Sequence, residues 1–132
     1  MRVSTKGRYA LRLMVDLAQN SGDNYIPLKD ITARQKISVK YAEQIVNSLM
    51  KNGFIKSERG AQGGYKLIKK PEDYTVGSIL RAAEGSLSPV ACIETEENLC
   101  QNKDECVTLN FWIGLDKVIN QYVDSVTIAD LL

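Results

Sequence analysis

The chain has 132 residues, 44% of them hydrophobic, with three cysteines, no histidine and a net charge of +1; this is enough to bury a core without disulfide staples. Its opening, Met1-Arg2-Val3-Ser4-Thr5-Lys6, carries no apolar signal-peptide run, and no stretch reaches the roughly 18 consecutive apolar residues of a membrane span, so a cytoplasmic protein with no membrane partner is expected. The near-neutral total conceals a division: residues 1–71 hold 14 Lys and Arg against 5 Asp and Glu, a net +9, whereas residues 72–132 hold 3 against 11, a net −8. A basic half joined to an acidic half turns the first toward a polyanion and leaves the second for another task.

Apolar Ala10, Leu13, Met14 and Leu17 recur at helical spacing and predict a helix from about Thr5 to Asn20, with Leu11, Val15 and Ala18 as a second apolar strip. The turn residues Ser21-Gly22-Asp23-Asn24 end it. A second helix is expected over Leu28–Gln35, then a tight connection at Gln35-Lys36-Ile37. Ser38 sits where an N-cap belongs for a third helix, from about Val39 to Asn52, which Gly53 stops. Ala42, Ile45, Val46 and Leu49 point inward on that helix, and Lys40, Tyr41, Glu43, Gln44 and Asn47 point outward. Two short β runs follow, Phe54–Glu58 and Tyr65–Ile68, joined by the glycine-rich tip from Arg59 to Gly64.

Charge reversal and proline coincide near Lys70-Pro71, so the expected organisation is residues 1–71 as one unit and 72–132 as another. Thr75-Val76 opens a helix that runs through Ala83 and stops at Gly85. The cysteine segment comes next, and a last helix from about Val107 to Tyr122 closes the chain. Phe111, Leu115, Val118 and Tyr122 form one apolar stripe on it; Trp112, Ile119 and Val123 form another. A helix apolar on two sides needs two covers, here its own domain and a second subunit.

Three helices followed by a β-hairpin is the order of a winged helix-turn-helix. The fold class expected is therefore mainly α with a small β-hairpin wing, a winged helix-turn-helix domain plus a long C-terminal dimerisation helix. Such a head lays the N-terminal end of its third helix in the major groove of double-stranded DNA. Ser38 and Tyr41 are suited to phosphate oxygens, Lys40 to phosphate charge, Gln44 to the adenine edge and Glu43 to the cytosine amino group. In the wing, Arg59 precedes Gly60 and suits a narrow minor groove. Lys66, Lys69 and Lys70 are placed to reach flanking backbone, and Arg2, Lys6, Arg8 and Arg12 cluster at the first helix for further phosphate contacts. An enzyme is disfavoured: histidine and a Cys-x-x-Cys pair are both absent.

Several segments resemble the Rrf-type bacterial regulators: the run Met1 to Ala10; Ile37-Ser38 with Tyr41 and Glu43-Gln44; Leu49 with Lys51-Asn52-Gly53; Arg59-Gly60 with Gly63-Gly64-Tyr65; and the closing Thr127-Ile128-Ala129-Asp130-Leu131. The similarity covers almost the whole chain and is greatest to the iron–sulfur-regulator branch (IscR) and the cysteine-metabolism branch (CymR). The resemblance implies a homodimer whose long C-terminal helices cross, each head reading one half of a near-palindromic operator.

Cys92, Cys100 and Cys106 lie within one 15-residue window. Three soft thiolates in one segment suit an iron–sulfur cluster or zinc. The resemblance implies a cluster, [2Fe-2S], on these three residues. In that branch a histidine stands three residues after the last cysteine; here the position is Leu109. The acidic ligand that some nitric-oxide-sensing relatives use near position 8 is replaced by Arg8, which cannot ligate. The fourth ligand is left open among Asn110, Asp104, Glu105, another carboxylate and an external thiol, which makes the site labile. Structural zinc, redox-active thiols and three unconnected cysteines are the alternatives. The function expected is a regulator of iron–sulfur assembly genes that senses cluster status; a cysteine- or redox-responsive repressor of sulfur metabolism is the other reading.

Overall fold

Helix α1 (Thr5–Asn20) turns Ala10, Leu13, Met14 and Leu17 into the interior, as their spacing requires. The computed structural model describes residues 2–20, 22–94 and 104–132. Helix α2 (Leu28–Gln35) leads through Lys36 into α3 (Val39–Lys51), whose first turn is capped by Ser38: its Oγ accepts the Tyr41 amide at 3.1 Å. Strands β1 (Ile55–Glu58) and β2 (Gly64–Leu67) form an antiparallel hairpin with Ile55 opposite Leu67, Lys56 opposite Lys66, Ser57 opposite Tyr65 and Glu58 opposite Gly64. The backbone of Ile26 pairs with the outer edge of β2 through two 2.8 Å bonds to Tyr65, so β2 lies between two partners. Helix α4 (Val76–Glu84) is capped by Thr75 and ends at Gly85, and α5 (Leu109–Ser125) follows the cysteine segment.

These elements occur in the order that the sequence predicts, with small shifts at their ends. Strand β2 starts one residue early, where Gly64 pairs with Glu58, and stops one residue early, where the amides of Ile68 and Lys69 bond the Tyr74 hydroxyl at 3.0 and 2.9 Å. Helix α5 begins at Leu109, two residues later than expected, since Val107 is 97% exposed and packs on nothing that would hold it helical. It continues past Tyr122 to Ser125, until Val126 becomes extended and its carbonyl accepts the Val76 amide at 2.8 Å. Helix α3 stops at Lys51, one residue short of the expectation.

One apolar core joins these parts. It takes Leu13, Met14 and Leu17 from α1, Ile31 from α2 and Ile45, Val46 and Leu49 from α3, together with Ile55, Tyr74, Ile79 and Ile128, so residues on both sides of Pro71 contribute. Leu11, Val15 and Ala18, the second strip of α1, are half-buried against it. Tyr74 is buried to 2% exposure, and its hydroxyl also donates to the Phe54 carbonyl at 2.7 Å. A single phenol oxygen therefore fastens both feet of the hairpin. Among the described residues no helix is long and apolar enough to cross a membrane.

Asp16 lies on the buried face of α1 at 2% exposure. Arg34 of α2 grips it with two bonds, Nη2 to Oδ1 at 2.7 Å and Nε to Oδ2 at 2.9 Å, and Gln35 Nε2 adds a third at 2.9 Å. The bidentate fork fixes the angle between α1 and α2 and satisfies a charge that burial would otherwise penalise. The hydrogen bond to Asp16 raises the Arg34 pKa further. Replacing Arg34 by Met is expected to cost about 3 kcal/mol in urea unfolding, because it strands a buried carboxylate; the double variant Asp16→Leu/Arg34→Met is expected to recover most of that loss.

A second clamp holds α5 to α4. Arg81 donates from Nη1 and Nη2 to the two carboxylate oxygens of Asp124, at 2.8 and 2.9 Å, and from Nη2 to Asn120 at 2.6 Å. The Arg81 hydrogen bond holds Asp124 below the usual carboxylate value of 3.8. Asp124 then adds stability that is complete above the unfolded value and is lost as pH falls through its depressed folded value. Both groups are partly exposed, so the contribution is expected to be at most about 1 kcal/mol. Urea unfolding of Asp124→Asn is expected to show a small deficit at pH 7 that closes as pH falls through the depressed folded value and wild-type Asp124 is protonated as well.

Candidate nucleic-acid interface

The capped end of α3 presents Ser38, Lys40, Glu43 and Gln44 to solvent, side by side on its first two turns. The Ser38 oxygen is taken as the cap acceptor, and its hydroxyl proton is left to donate. Tyr41 is half-buried, its ring edge-on to Tyr9 at 5.9 Å and 88°. Arg12 lies 4.6 Å over the other ring of that pair, Tyr9, and donates to Gln35 Oε1 at 2.9 Å and to the Gln35 carbonyl at 3.2 Å. The sequence groups Arg12 with the phosphate-contacting cations; in the structure its exposed guanidinium also closes the end of α2. Arg2, Lys6 and Arg8 remain exposed around the start of α1.

The turn between α2 and α3 depends on Lys36, a non-glycine residue at φ 56°, ψ 48°, with its amide bonded to the Thr32 carbonyl. That left-handed conformation costs an L-residue about 1–2 kcal/mol. It sets the sharp change of direction that lifts α3 clear of α2. The sequence marks a tight connection there without showing which residue takes the strain, because lysine carries no turn signal.

Arg59 and Gly60 stand exposed at the hairpin tip, where the sequence places them. The tip is kept close to the segment before α2 by Gly64, at φ 149°: a Cβ there would come within 2.2 Å of the Ile26 carbonyl oxygen. Only glycine lets β2 approach so nearly. At the other end of the interface, Glu84 at the end of α4 accepts from the Ser4 amide at 2.9 Å and the Ser4 hydroxyl at 2.5 Å, and Ser4 Oγ in turn accepts the Gly7 amide at 3.2 Å. The start of α1, with Lys6 and Arg8, is thereby tied to the residue that precedes Gly85 and the cysteine segment.

Of the three cysteines, Cys92 is half-buried in a 3₁₀ turn (Ala91–Ile93), and Cys106 is exposed just ahead of α5. Cys100 lies outside the described residues. Among the described residues no three His, Cys, Asp or Glu side chains are gathered so as to hold a metal ion. The Thr108 hydroxyl, 3.5 Å from Cys106 Sγ, and the Thr108 amide lower the Cys106 pKa below the ordinary thiol value, which favours the thiolate that soft metals take. Leu109, at the position of the histidine that the resemblance implies, is the first residue of α5 and offers no donor.

On α5 the two predicted stripes separate. Trp112, Ile119 and Val123 are half-buried, and the latter two line an apolar cavity of about 470 Å³ with Leu80, Leu87 and Val3. Phe111, Val118 and Tyr122 are exposed by 63%, 59% and 69%, and Leu115 between them is half-buried. No residue of α5 is fully buried.

An N-capped reading helix, a basic hairpin and a two-faced tail helix define a winged helix-turn-helix DNA-binding regulator. The chain belongs to the Rrf2 family, described as iron-dependent transcriptional regulators, whose match spans residues 3–132. It is similar to the HTH-type transcriptional regulator IscR of Yersinia enterocolitica, with 39% identity over 132 residues, covering 100% of this chain and 79% of that one. Among solved structures it is similar to CymR, the global cysteine regulator of B. subtilis, with a TM-score of 0.81 and 38% identity over 99% of this chain and 95% of that one. It is likewise similar to T. potens IscR, with a TM-score of 0.78 and 41% identity over 99% and 85%. These relatives are transcriptional regulators, and the chain is one too, not an enzyme.

Proposed function

We propose that the chain acts in the cytoplasm as a homodimer on a near-palindromic operator and senses iron–sulfur status through Cys92, Cys100 and Cys106. The observation that carries the DNA-reading part is the exposed row Ser38, Lys40, Glu43 and Gln44 at the capped end of α3, beside Tyr41 and on the same basic head as Arg59 and Gly60. Gln44 and Glu43 read base edges in the major groove, Arg59 enters the minor groove, and Lys6, Arg8, Lys40, Ser38 and Tyr41 hold phosphates. The two heads are joined through the exposed stripe of α5, Phe111, Leu115, Val118 and Tyr122, since a helix with that much uncovered apolar surface is expected to find a partner.

The donor set fits an iron–sulfur cluster held by three protein thiolates. Soft sulfur ligands select it, and the Thr108 hydrogen bonds already favour the thiolate at Cys106. A [2Fe-2S] cluster is the assignment, with the fourth position filled by Asn110, Asp104, Glu105, another carboxylate or an external thiol, and with iron–sulfur assembly genes as the targets. When bound, the cluster supplies a stability that depends on iron and oxidant. The protein's part is to join the segment that holds it to α5 on one side and to Glu84 on the other. A second reading, a cysteine- or redox-responsive repressor of sulfur metabolism with zinc or free thiols, is favoured by Leu109 in place of a fourth donor and by the likeness to CymR.

Two measurements test this. Anaerobically purified protein is expected to be brown, with visible absorption and matching iron and sulfide, and to lose both in a Cys92→Ala/Cys106→Ala variant; colourless protein decides for the second reading. In salt titrations of binding to an operator selected from random duplex, Arg59→Ala is expected to weaken binding and reduce the magnitude of the salt slope by about 0.9. Gln44→Ala is expected to cost about 1–3 kcal/mol and relax base preference at one position. Binding unchanged in both variants overturns the DNA-reading assignment.

A further inference from the structure

Beyond the third helix and the wing tip, a basic cleft lies at the base of the hairpin. It has a volume of about 370 Å³, opens between the end of α1 and β2, and is lined by Lys56, Lys66, Lys69 and Lys70. Asp23 is the one acidic residue on its wall. Among the described residues the ion pairs belong to Arg34 and Arg81, so none of the four lysines is paired with a carboxylate.

The four cationic side chains line one cleft and repel one another. Lys56 and Lys66 face each other directly across the antiparallel pair, a placement that like charges disfavour. Lys66 is fixed, with Nζ 4.8 Å from the Tyr25 ring centroid and donating to the Asp23 carbonyl at 3.3 Å, so its ammonium is oriented in advance and keeps protons to donate. Lys69 is pinned through its amide, which bonds the Tyr74 hydroxyl, and Lys70 follows at once. A cluster of four like charges beside one carboxylate is stabilised by a polyanion. Lysines, as compact point charges without a planar fork, suit phosphate oxygens better than base edges.

The location names the polyanion. Arg59 and Gly60 are at the far end of the same two strands, with the Glu58–Gly64 pair next to the tip and the Lys56–Lys66 pair toward the base. A duplex whose minor groove takes the tip continues past the hairpin, presenting one phosphate charge per roughly 1.7 Å of axis. We infer that this cleft is a sequence-independent phosphate-binding surface for DNA flanking the operator half-site, which lengthens the footprint of each head. The inference rests on the DNA-binding role of the wing.

The test uses the tightest duplex selected from a random pool, both bare and with ten base pairs added at each end, and the variant Lys56→Ala/Lys69→Ala/Lys70→Ala. Lys66 is left in place because it braces Tyr25. The variant is expected to bind the bare duplex within about twofold of wild type and the extended one about tenfold more weakly, with the salt slope on the extended duplex reduced by about 0.9 for each phosphate no longer neutralised. The charge-conserving Lys69→Arg/Lys70→Arg protein is expected to keep wild-type affinity, and unchanged thermal melting guards against misfolding. Equal affinity of triple variant and wild type for the extended duplex overturns the inference, and so does an equal loss on both duplexes. Failure of wild type to bind even the bare duplex is a different result, which removes the underlying DNA-binding role of the wing.

Discussion

A carboxylate in the core governs how the reading head is assembled. Asp16 would be an expensive residue on the inner face of α1 were it not gripped by Arg34 and Gln35 from α2. The same Gln35 accepts from Arg12, Arg12 covers the Tyr9 ring, and Tyr9 meets the edge of Tyr41 on α3. An unbroken chain of polar and aromatic contacts thus leads from a buried charge to the helix that presents Gln44. Apolar packing alone would tolerate small sliding of these helices; directional bonds to one fixed oxygen pair do not. In the proposed role, a site that matches base edges gains from that rigidity, because a misplacement of the order of 1 Å removes a hydrogen bond.

The tail helix works under the opposite condition. Helix α5 is held to its own domain by a partly exposed clamp, Arg81 with Asp124 and Asn120, and by one half-buried stripe over an incompletely filled cavity. Its other stripe is left to solvent within one chain. The core under the head is closed within the chain, with Tyr74, Ile79 and Ile128 helping to fill it, whereas the tail asks for more surface than the described residues supply. Between them, Glu84 binds the first residues of α1 from the last turn of α4, so the segment beginning at Gly85 is one residue away from a group that positions Ser4. In the proposed function, a change at the cysteine segment has a short physical route to Lys6 and Arg8.

Local pattern made much of this legible. The spacing of Ala10, Leu13, Met14 and Leu17 specifies α1, Ser38 and Thr75 cap the helices they precede, and the glycines around Arg59 mark the hairpin, because each is a signal carried within a few residues. The third edge of the sheet was not legible, since Ile26 pairs with Tyr65 across 39 positions and has no run of its own. The bonds of Arg12 were hidden for a similar reason: its charge is visible in the sequence, but the carbonyl that it serves belongs to the next helix. Asp16 did leave a trace, an acid between Leu13 and Leu17 on a buried face, and such an interruption calls for a cationic partner. Lys56 gave none, because only the hairpin register brings it opposite Lys66. For the cysteines, spacing identifies a shared segment, while the identity of a fourth donor depends on tertiary placement that spacing does not encode.

Tyr74 links two regions that are otherwise distant. Its side-chain oxygen joins the entry and exit of the wing, and its backbone carbonyl accepts the amide of Ile128, beyond the end of α5, at 2.9 Å, next to the bridge between Thr75 and Thr127. The hairpin and the last residues of the chain therefore share one mechanical anchor. A torque applied along the tail helix would reach the base of the wing through this junction, by way of the Tyr74–Ile128 bond.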